Sequence, residues 1–176
     1  MLKVFPLAVF LGFAWVTSAD AEKLVADMAL AGNDGPAASV GRITITQTPG
    51  GAAFHIDLHG LPPGPHGFHV HVNPSCAPGM KDGKAVPAGA AGGHLDPDTT
   101  GMHMGPTGHG HLGDLPVLDV SASGAVRTTM VAPRITSLET LKGHALMIHA
   151  GGDNYADQPA PLGGGGVRLA CGVIRD

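Results

Sequence analysis

Two histidines two residues apart, His69 and His71 in His66-Gly67-Phe68-His69-Val70-His71-Val72, set the chemistry open to this chain. In an extended strand alternate side chains point to opposite faces, so Phe68, Val70 and Val72 can enter a core while both imidazoles look out together. Two neutral imidazole nitrogens on one face can grip a single ion of copper, zinc, iron or nickel. The pair alone is a weak signal, because an outer strand face can carry histidine for other reasons. Here further donors follow it: His94, His103, His111, Asp114 and His149. They divide by what carries them. His69, His71 and His149 come from strand-like stretches, whereas His94, His103, His111 and Asp114 come from one irregular stretch. An all-imidazole set suits a redox-active copper, and three imidazoles with one carboxylate suit four-coordinate zinc.

The elements that must position these donors read as short strands. Val40 to Thr46 and Ala52 to His59 alternate, with Ile43 and Ile45 against Thr44 and Thr46, then Phe54, Ile56 and Leu58 against His55, Asp57 and His59. Leu24 to Leu30 is a further strand of this kind. Gly32-Asn33-Asp34-Gly35-Pro36 and Pro49-Gly50-Gly51 are turn chemistry between them, and Leu61-Pro62-Pro63-Gly64-Pro65 breaks the chain before the His-Val-His strand. From Asn73 to Gly113 regular pattern stops, and neither helix nor strand is expected. A loop of that length inside a compact domain is functional or disordered. The donors it carries decide for function, since a bound metal can tie such a loop to itself. Leu115 to Val120 and Ala125 to Val131 read as a hairpin about Gly124, and Ile135 to Leu141 contains a short helical turn. His144 to Ala150 is a strand that sets Leu146 and Ile148 against His149. A second irregular segment, Gly151 to Gly166, precedes a closing strand, Val167 to Ile174. The expectation is an all-β fold of about eight strands with two long functional loops.

Composition agrees. Only 4% of the 176 residues are aromatic, while 28 Gly and 15 Pro suit many turns between short strands. One domain is expected from the length. Residues 1–21 carry Lys3, an uncharged run from Val4 to Val16 and then Ala19-Asp20-Ala21, the small-x-small pattern of a secretory cleavage site. Cleavage before Glu22 leaves a mature domain of residues 22–176. It removes one charge of each sign, so the net charge stays at -4, which argues against a nucleic-acid partner. Export to an oxidising compartment, here the periplasm, and an even count of two cysteines predict a Cys76–Cys171 disulfide.

The segments Gly67-Phe68-His69-Val70-His71, Gly92 to Pro97, His111 to Pro116, Gly143 to Asn154 and Gly163 to Ile174, in this order with both cysteines in place, resemble the copper, zinc superoxide dismutases of the bacterial periplasmic type. The resemblance covers nearly all of the mature chain and implies a Greek-key eight-stranded β-barrel or flattened sandwich. It implies that His69, His71, His94 and His149 bind copper, that His94, His103, His111 and Asp114 bind zinc, and that His94 bridges the two. Asp153 matches the carboxylate that joins a copper histidine to a zinc histidine. Arg168 matches the arginine that faces the open copper position. His109 rivals His111, but Leu112-Gly113-Asp114 after His111 keeps the family spacing.

The implied reaction is dismutation of the superoxide anion to oxygen and hydrogen peroxide by alternating Cu(II) reduction and Cu(I) reoxidation, with zinc structural and with Arg168 and His94 acting on substrate and proton. The competing reading is a periplasmic copper- or zinc-binding protein of the same fold without turnover. A chain lacking Arg168 or part of the zinc set would favour that reading. No membrane partner is expected after cleavage, and both a monomer and a homodimer stay open. His55, His59, His66 and His144 read as structural or surface histidines, and His109 with Met102 and Met104 offers weaker donors for extra copper or haem. Because the net charge would repel an anion, Lys81 and Lys84, with Arg168, are expected to form a local attracting patch.

Overall fold

The structure, a computed structural model, describes residues 22–176. The expected signal segment, residues 1–21, lies outside them. Alternation builds the first three strands: β1 (Lys23–Gly32), β2 (Gly35–Thr48) and β3 (Gly51–Leu58). Leu24, Ala26 and Met28 of β1, Ile43 and Ile45 of β2, and Phe54, Ile56 and Leu58 of β3 all turn inward and are buried. Two-residue turns at Asn33-Asp34 and Pro49-Gly50 join them into an antiparallel meander.

The chain then crosses over. β4 (Gly64–His66) and β5 (Phe68–His71) are one strand interrupted at Gly67, and β5 joins the sheet at the edge remote from β3. After the long loop come β8 (Leu118–Val120) and β9 (Val126–Ala132), and β9 pairs with β3. A second crossing brings β10 (Ala145–His149) beside β5, and β11 (Arg168–Arg175) fills the gap to β1. The order in the seven-stranded sheet is β5-β10-β11-β1-β2-β3-β9. Pairing of β4 with β8 links the two ends and curls the sheet into a Greek-key barrel. With β4 and β5 counted as one strand, and the loop hairpin below set aside, eight strands form the barrel.

A single core fills it, with the rings of Phe54 and Phe68 packed edge to face at 5.8 Å. β10 is buried on both faces. Leu146 and Ile148 point into the barrel, while Ala145 and Met147 meet Ala88, Ala91 and Cys171 in a second, smaller cluster outside it. The Cys76–Cys171 disulfide is present and closes that cluster.

Three details differ from the sequence reading. The stretch from Asn73 to Gly113 does contain strands: β6 (Gly79–Lys81) and β7 (Lys84–Val86) form a small hairpin, followed by a single turn of 3₁₀ helix at Gly89–Ala91. Strands of three residues are too short for alternation to show. Val72 is 42% exposed and does not enter the core, because the sheet ends at His71 and the chain turns away. Finally, the outer face of β5 does not meet solvent. His69 and His71 are as buried as Phe68 and Val70, since loops cover them.

Candidate metal centre

β5 is an edge strand, and the long loop satisfies its free side. Val70 N–H donates to the Gly113 carbonyl, Val70 C=O accepts from Leu95, Val72 N–H donates to Gly93, and Leu115 N–H donates to Phe68. Two stretches of loop thus ride along one strand edge, which places His94 opposite His71 and Asp114 opposite His69. On the other side of β5, Met147 pairs with His69 and Ala145 with His71. Paired residues share a face, so His149, two beyond Met147, joins the two histidines on the outer surface of the barrel. Gly113 has to be glycine here, because a Cβ would overlap the Val70 carbonyl oxygen.

The outward nitrogen of several rings is held, and this fixes the inward one. His71 Nδ1 donates to Gly92 C=O at 2.9 Å, and His149 Nδ1 donates to Gly166 C=O at 3.1 Å. Carbonyl oxygens only accept, so both Nε2 atoms carry lone pairs. These face each other at 3.3 Å. Two bare lone pairs at that distance repel unless a cation lies between them. Asp153 accepts from His69 Nε2 through Oδ2 and from His103 Nε2 through Oδ1, each at 2.8 Å. This leaves His69 Nδ1 and His103 Nδ1 pointing inward. Among the described residues, His69 Nδ1, His94 Nε2, His103 Nδ1 and His111 Nδ1 are buried without a hydrogen-bond partner.

Asp114 Oδ1 collects the other donors. It lies 2.9 Å from His94 Nδ1, 3.0 Å from His103 Nδ1 and 3.3 Å from His111 Nδ1. The last two lack hydrogen-bond alignment, so these atoms surround a common point and do not bond one another. Ligands about 2.0 Å from a tetrahedral zinc stand about 3.3 Å apart, so the observed spacing fits that ion. Donor atoms within 4.8 Å of one another form two sets, His69, His71, His94, His149 and His69, His94, His103, Asp114. His111 falls outside the second set by that measure, yet its inward Nδ1 shares the same carboxylate oxygen. His69 falls inside both sets. With Nε2 engaged by Asp153 it has one free nitrogen, which belongs with His71 and His149 on its own sheet face.

Electrostatics prepare the donors. Burial pushes His94 down to about 4 and His149 down to about 3, and it takes His71 well below its ordinary value, so these rings are neutral near pH 7. Burial also disfavours charge on His103, but the Asp114 carboxylate beside Nδ1 and the Asp153 carboxylate bonded to Nε2 outweigh it and hold the ring at about 9. Asp114 and Asp153 are buried too, yet their histidine partners keep both carboxyls well below the usual range. A dication can replace the proton on His103, since the carboxylates that attract one attract the other.

Arg168 pairs with His149 across the sheet, and its guanidinium donates to the Ala88 and Gly92 carbonyls. It is therefore one carbonyl away from His71. Lys81 and Lys84 face each other at the exposed tip of the β6–β7 hairpin, with Asp82 between them in the chain. Met102, Met104 and His109 are exposed on the loop surface and join neither donor set. His66 contacts the His149 and Pro62 carbonyls, His144 the Val72 carbonyl, and His55 lies between Thr46 and Thr129. Sequence reasoning missed the carbonyls of Ala88, Gly92 and Gly166 and the side chains of Tyr155 and Asp157, and no motif marks them.

A Greek-key barrel with two abutting donor sets on one outer face, one all-imidazole and one with a carboxylate, defines a protein built to hold two neighbouring metal ions. The chain belongs to the copper/zinc superoxide dismutase family, whose model matches residues 39–174. It is 52% identical over 174 residues to Superoxide dismutase [Cu-Zn] of Escherichia coli K12, covering 99% of this chain and 100% of that one. The solved Cu/Zn superoxide dismutase from Brucella abortus superposes with a TM-score of 0.86 at 55% identity, over 88% of this chain and 100% of that one. The monomeric copper, zinc superoxide dismutase from Salmonella enterica gives 0.78 at 55% identity, with the same coverage.

Proposed function

We propose that this protein dismutates superoxide to oxygen and hydrogen peroxide, with copper on His69 Nδ1, His71 Nε2, His94 Nε2 and His149 Nε2, and zinc on Asp114 Oδ1 and the Nδ1 atoms of His94, His103 and His111. The observation that carries the reading is His94. Its Nδ1 is 2.9 Å from Asp114 Oδ1 while its Nε2 is buried with no partner, so one ring presents a nitrogen to each set. When bound, copper would supply alternating one-electron reduction and reoxidation, and His94 Nδ1 would be held by zinc. Arg168 draws the anion in, because its guanidinium stays charged and offers a fork of donors. His94 Nε2 has one lone pair, so it would hold a proton only while it is not coordinated, and from there it would give that proton to the forming peroxide. Asp153 holds His69 and His103 against rotation. A complete donor set together with Arg168 favours an enzyme over a silent metal-binding protein of the same fold. Export to the periplasm through residues 1–21 fits the disulfide, and among the described residues no helix is long and apolar enough to cross a membrane.

Metal analysis of the purified mature protein with a superoxide-decay assay tests the reading. One copper and one zinc per chain with fast decay support it, and metal uptake without decay supports the silent alternative. Cobalt in the zinc set should couple magnetically to copper through His94, and absent coupling would remove the bridge.

Asp114→Ala should lose zinc before copper, since the only carboxylate in either set disappears. Parallel loss of both metals in a chelator titration would contradict the division. The rate of anion capture should depend on the hairpin tip. Lys81→Glu combined with Lys84→Glu should lower the second-order rate at low salt and flatten its decline with ionic strength, with metal content unchanged. The hairpin root is fixed by the disulfide and by close packing of Gly79 on Gly89, so the charges sit on an anchored loop. An unchanged salt slope would put the steering elsewhere.

A further inference from the structure

Segment 151–166 touches the loop that carries His103 at two points besides Asp153. Asp157 Oδ2 accepts the backbone N–H of His103 at 2.9 Å, and its Oδ1 accepts from Leu162 N–H at 3.3 Å. Tyr155 lays its ring on Gly105, where an added Cβ would stand only 2.7 Å from the ring. The Tyr155 hydroxyl oxygen accepts Val117 N–H at 2.9 Å, and the Tyr155 N–H donates to Asp153 Oδ1 at 2.7 Å. The loop is therefore held at His103 by its backbone, at His103 by its ring, and two residues further on by an aromatic face. Tyr155 adopts a left-handed backbone with φ of 58°, uncommon for a bulky residue. That conformation places Tyr155 between three separate pieces of chain: Asp153, Gly105 and Val117.

We propose that Tyr155 and Asp157 are positioning residues for the zinc side of the centre, holding the His103 loop in register so that Nδ1 of His103 meets Asp114 before any ion arrives. The proposal deepens the function above and rests on its assignment of His103 to zinc. Neither residue touches a donor nitrogen. Both bear on the loop that carries His103, Asp157 through the His103 N–H and Tyr155 through Gly105, and among the described residues neither side chain hydrogen-bonds a residue of β5 or β10.

Selectivity between the metals tests it. Metal-free wild type, Asp157→Ala, Asp157→Asn, Tyr155→Leu and Tyr155→Phe would be titrated with zinc against a competing chelator, and with copper in parallel. Partners one step behind a ligand commonly change affinity 10- to 100-fold, so Asp157→Ala and Tyr155→Leu should each weaken zinc by about tenfold and copper by less than about threefold. Asp157→Asn can keep its one oxygen on the His103 N–H but turns an NH₂ toward the Leu162 N–H, so it should recover part of the zinc affinity and fall between Asp157→Ala and wild type. Tyr155→Phe keeps the ring on Gly105 and loses only the Val117 bond, so it should fall between. Cobalt in place of zinc should show a broadened visible spectrum in Asp157→Ala and one closer to wild type in Asp157→Asn. Zinc affinities unchanged in both truncated variants, or zinc and copper falling in parallel as ordinary loop packing would produce, would overturn the proposal. A wild-type chain that took up no zinc would overturn the assignment beneath it.

Discussion

Asp153→Ala is expected to cost more zinc than any other single change outside the donor sets. The side chain is fully buried and accepts from two rings at once, His69 Nε2 and His103 Nε2, each at 2.8 Å. Truncation strands two buried N–H donors, about 1–3 kcal/mol apiece. It also lets both rings turn, so the inward nitrogens no longer hold their aim. Zinc affinity should fall by about 10- to 100-fold, with copper less affected, because His71 and His149 keep their carbonyl acceptors. Asp153→Asn should not rescue it. An amide has one acceptor oxygen and a donor group, so one imidazole is satisfied and the other meets N–H against N–H. Gly163→Ala should resemble Asp153→Ala, since a Cβ at Gly163 would overlap Asp153 Oδ1 and crowd His103 Nε2. Zinc content after dialysis against a chelator gives the answer, and retention within about twofold of wild type would show that the carboxylate link does not control the site.

Replacing both cysteines, Cys76→Ser with Cys171→Ser, is expected to produce the largest loss of stability. The bond spans 95 residues of chain, for which loop-closure entropy corresponds to about 4–5 kcal/mol. In a domain of this size that is a fall in Tm on the order of 10–15 °C. A functional loss should accompany it. The bond anchors the segment whose Ala88 and Gly92 carbonyls hold Arg168, and Gly92 also accepts from His71. Superoxide decay measured well below the lowered Tm should therefore slow even with both metals bound. A drop of about 2 °C or less would mean that Ala88, Ala91 and Met147 pin the loop by packing alone.

The candidate donors were legible in the sequence because their signals are local or rest on residue chemistry. Alternation in Phe68-His69-Val70-His71 and in Leu146-Met147-Ile148-His149 puts three imidazoles on strand faces, and only the loop set contains a carboxylate. Two cysteines leave one intramolecular pairing. The β6–β7 hairpin was not legible, because three-residue strands carry no period, and Val72 followed the pattern of a strand that had already ended. His109 and His111 could be ranked only by resemblance, whereas the structure exposes the first and aims the second at Asp114.

What residue types by themselves determined is which side chains could bind metal and which strands carry them. Only the tertiary structure decided which nitrogen of each ring faces inward. That choice depends on the acceptor behind the ring, and the Gly92 and Gly166 acceptors are backbone carbonyls, a group present in every residue and so invisible in any pattern. The same holds for the loop that lies along β5. Its position follows from the unpaired edge of that strand, and strand edges exist only once the sheet has formed.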